Sequence, residues 1–420
     1  MIADKVTGEP LTRSSSSSSS SKSLLLPLVK QGAKVNFYLT LNLGGLWKRW
    51  IQRTPKWNEL SSLHHMKLYI FDDHLVISGA NLGDTYFTTR QDRYILLRDC
   101  PALCDYFDEL IRTVSRFSMS LQEDGSFRLH PSWRYDPRKG GLWHRRNFRR
   151  EAVKSIRELN ERFCLRGRKE EDLIADNKVD TVVFPLLQLG TLGVADEEAF
   201  TSSLLRSCCA AETSDQQQQY RLHIGTGYFN LTRAYQSTLL GSKWRTATTT
   251  TTEKTTPTTT DNKNSATTTT TSIVMASEEA NGFHGGAGIL RFIPLVYTHY
   301  VRSFLRRIKE QQQQLNPNIA LWYYSKPGWS FHAKGIWLFP SEPNSSVTVI
   351  GSTNFGYRSV RRDNEAAIVL VSRDQGLRRR LEEEHQALLD CSRRVEDPKG
   401  DLPVVPLWVA TIATLFRSYF

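Results

Sequence analysis

Long apolar runs are missing from these 420 residues. The longest, Leu407 to Phe416, covers about ten positions, against the roughly 18 to 20 that a membrane-spanning helix needs, so no transmembrane segment is expected. The opening stretch, MIADKVTGEPLTRSSSSSSSSKS, has no apolar segment of the kind a secretory signal requires and is a poor amphipathic leader. Cysteine is sparse. Cys100, Cys104, Cys164, Cys208, Cys209 and Cys391 show neither zinc-ligand spacing nor a disulfide framework, so they are expected to be reduced thiols of an intracellular protein.

What is present excludes wholesale disorder: 39% hydrophobic and 10% aromatic residues suffice for two or three domains with cores of their own. Fifty-five Lys and Arg against 43 Asp and Glu give a formal charge of +12, which favours an anionic partner, whether nucleic acid, anionic lipid or a phosphorylated substrate. Four polar tracts punctuate the chain: serines 14 to 21, glutamines 216 to 219, a threonine-rich run from about 246 to 271, and glutamines 311 to 314. Such tracts bury too little apolar surface to offset their ordering entropy and read as surface insertions or linkers.

Between the tracts the chain repeats itself. A first copy runs KVNFYL, HMKLYIF, a DDH turn, LVIS, the small-residue loop GAN, the strand YILL and a helix from about Pro101 to Phe117. A second runs IALWYY, HAKGIWLF, a PSEPNSS turn, VTVI, the loop GSTN, the strand AAIVLV and a helix from about Asp374 to Cys391. Asn81 precedes Asp92, and Asn354 precedes Glu365, by the same eleven positions. This predicts an α/β protein of two pseudo-symmetric halves, each a mixed sheet flanked by helices, with the site at their interface. The expected divisions are a disordered Ser-rich lead-in (1–30), a first half (31–130), a basic amphipathic linker (131–175), a second half (176–400) with a disordered insertion at about 245–277, and a C-terminal apolar helix (401–420). About 120 residues precede His332 in the second copy once the threonine tract is discounted, against 64 before His65, so the first half is expected to lack strands at its start.

His65, Lys67 and Asp72 fit H-x-K-x4-D, and on a strand the two-residue period puts His65 and Lys67 on one face. A single such match arises by accident in about one chain of this size in thirty. Its repetition as His332 and Lys334, with Gly351-Ser352-Thr353-Asn354 matching Ser78-Gly79-Ala80-Asn81, makes accident a poor explanation. The pattern suits a phosphodiester site. Lys67 and Lys334 would neutralise the non-bridging oxygens, with Asn81, Ser352, Asn354 and loop N–H groups donating to them. One histidine would attack phosphorus and the other would move the proton of the leaving and entering oxygens. Asp92 and Glu365 are candidates to orient the imidazoles. The scheme needs no metal or other cofactor.

These residues resemble the phospholipase D superfamily, marked by paired H-x-K-x4-D motifs each followed by a G-S-x-N-like loop. Within it, HHMKLYIFDDHLVISGANLGDTYFTTRQDRYILL, GTGYFNLTRAY, NGFHGGAG, WSFHAKGIWLFP and VIGSTNFGYRSVRRDNEAAI resemble the mitochondrial phosphatidylglycerophosphate synthase family. Phe339 stands where the superfamily has its second Asp, a departure this family shares, and it is expected to make the site asymmetric. The resemblance implies CDP-diacylglycerol and glycerol 3-phosphate as substrates, and location at the mitochondrial inner membrane. It also implies a phosphohistidine intermediate, with His65, in the complete motif, as nucleophile and His332 as general acid and base. An arginine is expected to grip the acceptor phosphate, from Arg90, Arg93, Arg358, Arg361 and Arg362. A hydrolase of lipid or nucleic-acid phosphodiesters, or an inactive lipid-binding relic, is the alternative.

Two further segments admit two readings each. From Arg134 to Lys169, Phe148, Ala152, Val153, Ile156, Leu159 and Phe163 recur at helical spacing among basic residues, as in a helix lying on an anionic membrane or one packed on the protein by its apolar face. A nucleic-acid contact there is disfavoured. PLWVATIATLF reads as a helix closing the core or as an interfacial anchor. Gly225 to Asn230 and Asn281 to Gly286 are expected to be loops at strand ends that approach a ligand.

Overall fold

The computed structural model describes residues 2–4, 21–39, 63–136, 141–167, 179–210, 220–241, 271–312, 319–340 and 345–420. In the first half, β1 (Ile2–Asp4), α1 (Ser21–Lys30) and β2 (Asn36–Tyr38) precede the hairpin of β3 (Leu68–Phe71) and β4 (His74–Ser78). Then come α2 (Asp84–Thr88), β5 (Arg90–Gln91), β6 (Tyr94–Leu97), α3 (Pro101–Arg116), β7 (Met119–Leu121) and β8 (Phe127–Leu129). The helix α4 (Leu142–Gly167) leads to the second half, which opens with β9 (Thr181–Leu189), β10 (Val194–Ala195), α5 (Asp196–Ala210), β11 (Tyr220–Thr226), α6 (Arg233–Gly241) and β12 (Thr271–Ala276). It continues through α7 (Ile293–Gln312), β13 (Ile319–Tyr324), β14 (Ser330–Phe331), β15 (Gly335–Pro340), β16 (Ser346–Gly351), α8 (Tyr357–Arg361) and β17 (Asn364–Ser372), and ends with α9 (Gln375–Asp390), β18 (Ser392–Val395) and α10 (Leu407–Leu415).

The second half is a nine-stranded mixed sheet in the order β10-β9-β17-β16-β15-β11-β12-β13-β18, with β11, β12 and β13 parallel. The first half contributes an antiparallel sheet β3-β4-β6 and a separate sheet β1-β2-β7-β8. The run β3, β4, α2, β6, α3 has the same order and pairing as β15, β16, α8, β17, α9. The long helices form where the patterning predicts. Pro101 starts α3, whose buried Cys104, Phe107, Leu110 and Val114 recur at helical spacing, and Asp374 caps α9 by accepting from Leu377 N. All six residues of β15 are buried, as suits a central strand covered on both faces.

One core joins the halves. Leu75 and Ile77 of β4, Phe107 and Leu110 of α3, and Phe148, Ala152, Ile156 and Leu159 of α4 pack with Ile350 and Ile368 of the large sheet. Burial of each large apolar side chain contributes about 1.5 to 3 kcal/mol, so the interface is a core in its own right.

Several expectations are corrected here. The supposed linker is structural, as the packed-helix reading of this segment has it: α4 buries Phe148, Ala152, Ile156 and Leu159 in the shared core, while its basic side, Leu142 and Trp143 are exposed. The helix α1 lies within the supposedly disordered lead-in, with Leu25 and Val29 packed on Val35 and Phe37. The strand β12 begins inside the supposed insertion, because Thr271-Ser-Ile-Val-Met-Ala buries nearly every side chain between β11 and β13. The C-terminal apolar helix is where it was expected: α10 closes the core through Val409 and Ala413, with the Tyr300 hydroxyl donating to Ala413 O, while Leu407, Trp408 and Leu415 stay exposed. The serine and first glutamine tracts, apart from Ser21, and nearly all of the threonine run lie outside the described residues. Among the described residues, no helix is long and apolar enough to cross a membrane.

Candidate active site

The two H-x-K segments lie just before β3 and β15, in extended chain rather than in the ladders themselves, and each is stitched to the other half. His65 N donates to Asn364 O and Asn364 N to Leu63 O, both at 2.8 Å. In the same way β14 runs parallel to β5, and His332 N donates to Gln91 O at 2.8 Å. These short parallel contacts set each histidine beside a carboxylate of the opposite half. His65 Nδ1 lies 2.8 Å from Glu365 Oε2, and His332 Nδ1 lies 2.6 Å from Asp92 Oδ2. A carboxylate on Nδ1 fixes that proton and leaves Nε2 with its lone pair, as a nucleophile or proton acceptor requires.

Each carboxylate is itself held. Glu365 Oε1 accepts from the Ser359 hydroxyl at 2.9 Å, and Asp92 Oδ1 accepts from Arg93 N at 2.9 Å. Lys67 Nζ donates to His65 O at 2.6 Å, while Lys334 Nζ donates to His332 O at 2.5 Å and sits 2.6 Å from His332 Nδ1. That nitrogen serves one partner at a time. Donation to Asp92 leaves Lys334 on the carbonyl. Room for Lys334 comes from the other half's loop, since a Cβ on Gly79 would stand 2.9 Å from its Cδ and 2.8 Å from Asp92 Oδ1. Gly227 likewise lets the β11 loop close on His332, whose Cα would lie 3.1 Å from a Cβ there.

Burial governs the electrostatics. It lowers Lys67 from 10.5 to about 7 and Lys334 to about 8, against the raising effect of Glu365 and Asp92. It also lowers both histidines, His332 to about 3, further than the carboxylates raise them. Glu365 is pulled down to about 2 by His65 and Lys67 despite its burial, and Asp92 is lowered by Lys334 and His332. The resting site therefore holds neutral imidazoles beside ionised carboxylates. Lys67 feels Lys334 and Asp92, and Lys334 feels Glu365, so the two sets form one electrostatic cluster. An incoming phosphate anion would restore full charge to both lysines.

Comparison with known proteins places this geometry in a family. A curated relative from Gallus gallus, the mitochondrial CDP-diacylglycerol--glycerol-3-phosphate 3-phosphatidyltransferase, is 32% identical over 97% of this chain and 71% of its own length. The chain belongs to that family. The Homo sapiens protein of the same name is 32% identical over 97% of this chain and 70% of its own. A Dictyostelium discoideum protein named as a probable member is 27% identical, covering 94% and 63%. Among solved structures, the phosphatidylserine synthase of Haemophilus influenzae aligns with TM-score 0.51 and 17% identity over 86% of this chain and 69% of that one, a likeness of fold. No protein-family model matches the chain.

Within this family member, not every residue singled out from the sequence meets at the site. Asp72 does not: it lies in the exposed β3–β4 turn with φ of 51°, five residues and about 16 Å of extended chain from Lys67. Phe339, at the matching end of β15, is buried under Arg221 and Arg378. Loss of the second acid therefore leaves the chemical centre unchanged, and the expected asymmetry does not arise there. The Ser352 hydroxyl bonds the Ala366 backbone, as Ser78 bonds Arg93 O, and also bonds Glu365, which helps to lower that carboxyl. Asn81 is exposed at the rim and donates to the Tyr86 hydroxyl at 3.0 Å, whereas the buried Asn354 Oδ1 accepts from no described residue.

The arginines separate clearly. Arg93 is spent on Glu384, Thr348, Val349 O and the Trp337 ring, Arg358 on Asp363, and Arg362 on Ser418 and Tyr419. Arg361 is exposed at the end of α8. Arg90 is different: its guanidinium lies 4.3 Å over the Tyr86 ring, its Nε donates to Ser330, and its charge reaches both His332 and Lys334.

Sequence reasoning missed Tyr86, whose ring stands edge-on to His332 at 5.1 Å, while Tyr228, edge-on at 5.8 Å, comes from the Gly225 to Asn230 loop expected to approach a ligand. For Tyr86, its place just ahead of Arg90 was the available signal. It also missed Asp363, which accepts from Leu63 N at 2.7 Å and so anchors the first motif. Glu197 was missed too: a buried carboxyl raised to about 7 by burial, beside Thr353 of the GSTN loop.

Proposed function

We propose that this chain transfers the phosphatidyl group of CDP-diacylglycerol to glycerol 3-phosphate, releasing CMP and forming phosphatidylglycerophosphate. Its relatives' names carry the reaction, and the crossed histidine–carboxylate pairs supply the chemistry. His65 Nε2 attacks the phosphorus bearing diacylglycerol, with Nδ1–H held on Glu365. His332 takes a proton from solvent onto Nε2 as the anionic donor binds, gives that proton to the CMP oxygen as its bond to phosphorus breaks, and is left as the neutral imidazole with Nδ1–H on Asp92. His332 then takes the proton of the acceptor's primary hydroxyl, whose oxygen displaces His65 from phosphorus. Lys67, Lys334, Asn81 and Asn354 hold the non-bridging oxygens.

The roles of the two histidines follow from Arg90. In a two-step displacement the acceptor enters where the leaving group departed, so the general acid and base stands on the acceptor's side. The guanidinium near His332 suits the acceptor's phosphate, which makes His332 that group and His65 the nucleophile. Tyr86 and Tyr228 crowd His332 and limit water, which competes at about 55 M in any such transfer. The relatives' names support a mitochondrial location, and a peripheral seat on the anionic inner membrane is the finer part of this proposal.

Incubation with CDP-diacylglycerol and labelled glycerol 3-phosphate tests the reaction. CMP release with labelled lipid is expected; CMP release with phosphatidic acid alone would make it a hydrolase, and no CMP release would defeat the assignment. Activity is expected to survive EDTA.

A further inference from the structure

The sheet β3-β4-β6 is apolar on both faces. Leu68, Ile70, Leu75, Ile77, Ile95 and Leu97 turn toward the shared core. The alternate positions Tyr69, Phe71, Val76, Tyr94 and Leu96 look outward with only His74, at the turn, and the buried Ser78 as polar members, where an antiparallel sheet with one wet face carries mostly polar residues. Phe87 of α2 stacks on Tyr94 with centroids 6.5 Å apart, and Leu82 precedes that helix. Leu82, Phe87, Tyr94, Leu96 and Phe71 are 43% to 65% exposed. Single exposed apolar residues are ordinary, but a contiguous group of this size marks an interaction surface.

This face runs directly into the mouth of the site. The Tyr69 hydroxyl donates to Ala80 O in the Gly79-Ala80-Asn81 loop, and the Tyr94 hydroxyl donates to the backbone of Tyr86, whose ring touches His332. Asn81 and Leu82 form the lip between the two regions. We propose that the outer face of this sheet, at its end nearest the site, docks the chain on a lipid bilayer by insertion of apolar side chains rather than by charge.

The inference rests on the diacyl donor proposed above. The acyl chains of such a substrate are too costly to withdraw into water, so its phosphorus must reach the histidines from a membrane surface abutting the site. The charges agree on which end inserts. Asp72, Asp73 and Asp99, with Arg98 as the one base beside them, leave the far, turn end of the sheet net negative, where an anionic bilayer would repel it, while Arg90 and Asp84 balance at the near end. A second copy seated on this face would cover the lip of the site. The basic side of α4 is the competing surface, and attraction through it would be screened by salt.

Flotation of the full chain with phosphatidylcholine vesicles containing one-fifth phosphatidylglycerol, at low and high salt, separates these cases. The paired substitution Phe87→Ser and Leu96→Ser is expected to weaken binding about tenfold or more at both salts. Arg146→Gln with Arg150→Gln and Lys154→Gln is expected to remove only a salt-sensitive fraction. CMP release from a water-soluble short-chain CDP-diacylglycerol should stay within about twofold for the first pair, which shows that the fold is intact. Leu82→Ser, in the loop ahead of α2, repeats the test without touching the sheet and should also lose binding at both salts. Flotation of these variants like the parent overturns the proposal, as does a drop in sedimenting mass with flotation unchanged, which would assign the face to a second copy. If the parent floats through this face yet releases no CMP from the soluble donor, the proposed reaction fails and the docking surface stands.

Discussion

His65 and His332 present Nδ1 in the same way, each to a carboxylate from the other half, yet their settings differ. His65 stands before a three-stranded sheet with its side chain 14% exposed, whereas His332 stands before the nine-stranded sheet, 4% exposed beneath Tyr86, Tyr228 and near Arg90. A duplicated motif thus presents equal side chains, and on the proposed mechanism the unequal walls around them divide the labour. The division does not come from the motif's third member, since Asp72 and Phe339 both sit at strand ends remote from the histidines.

The most damaging way to break the pairing is to remove either imidazole. His65→Asn and His332→Asn are each expected to reduce turnover by about 10³-fold or more. They should part company in a denaturing trap: a phosphatidyl adduct maps to His65 in the parent, persists in His332→Asn, and is absent from His65→Asn. An adduct on His332 would reverse the roles.

Next come the crossed carboxylates. Asp92→Asn and Glu365→Gln keep the shape but remove the charge that fixes each tautomer, and losses of about 10² to 10⁴-fold in kcat are expected. Each loss should match that of the histidine served from the other half, which single-turnover adduct formation can read: Glu365→Gln slows the first step.

Arg90→Gln sharpens the difference between the two walls. It is expected to raise KM for glycerol 3-phosphate about tenfold to a hundredfold and to divert product toward phosphatidic acid, while adduct formation changes little. An unchanged product ratio would remove Arg90 from the acceptor side.

The lysines predict a pH effect common to both halves. Protonated Lys67 and Lys334 are needed to receive phosphate, and burial brings them to about 7 and 8, so kcat/KM should fall as pH rises through that range rather than near 10.5. Lys67→Arg should move this limb upward. The smallest effect is expected from Asp72→Asn, within about twofold of the parent, because an exposed turn residue is all it changes.

Much of this was legible in residue order. Alternation marked Tyr94–Leu97 and Ile319–Tyr324 as strands, and helical spacing with Pro101 and Asp374 marked the two long helices within a residue or two. Repetition singled out both histidines, both lysines and both carboxylates, though nothing in one copy states which acid serves which ring. That crossing arises from short bridges between residues 240 to 300 positions apart, beyond the reach of any local pattern. The same limit hid the roles of the arginines: Arg90 and Arg93 are three residues apart, yet Arg90, in β5, lies toward His332, while Arg93, between β5 and β6, turns into the core beside Trp337. The basic stretch left two readings open for a related reason, because a helical stripe specifies that something covers it and does not specify what.

The parallel bridges at Asn364 and Gln91 also tie reactivity to completion of the fold. A half that has collapsed alone carries a histidine with no acid behind it, and so no properly armed nucleophile. On the proposed mechanism, only when both halves have closed on one another does either ring acquire its working tautomer.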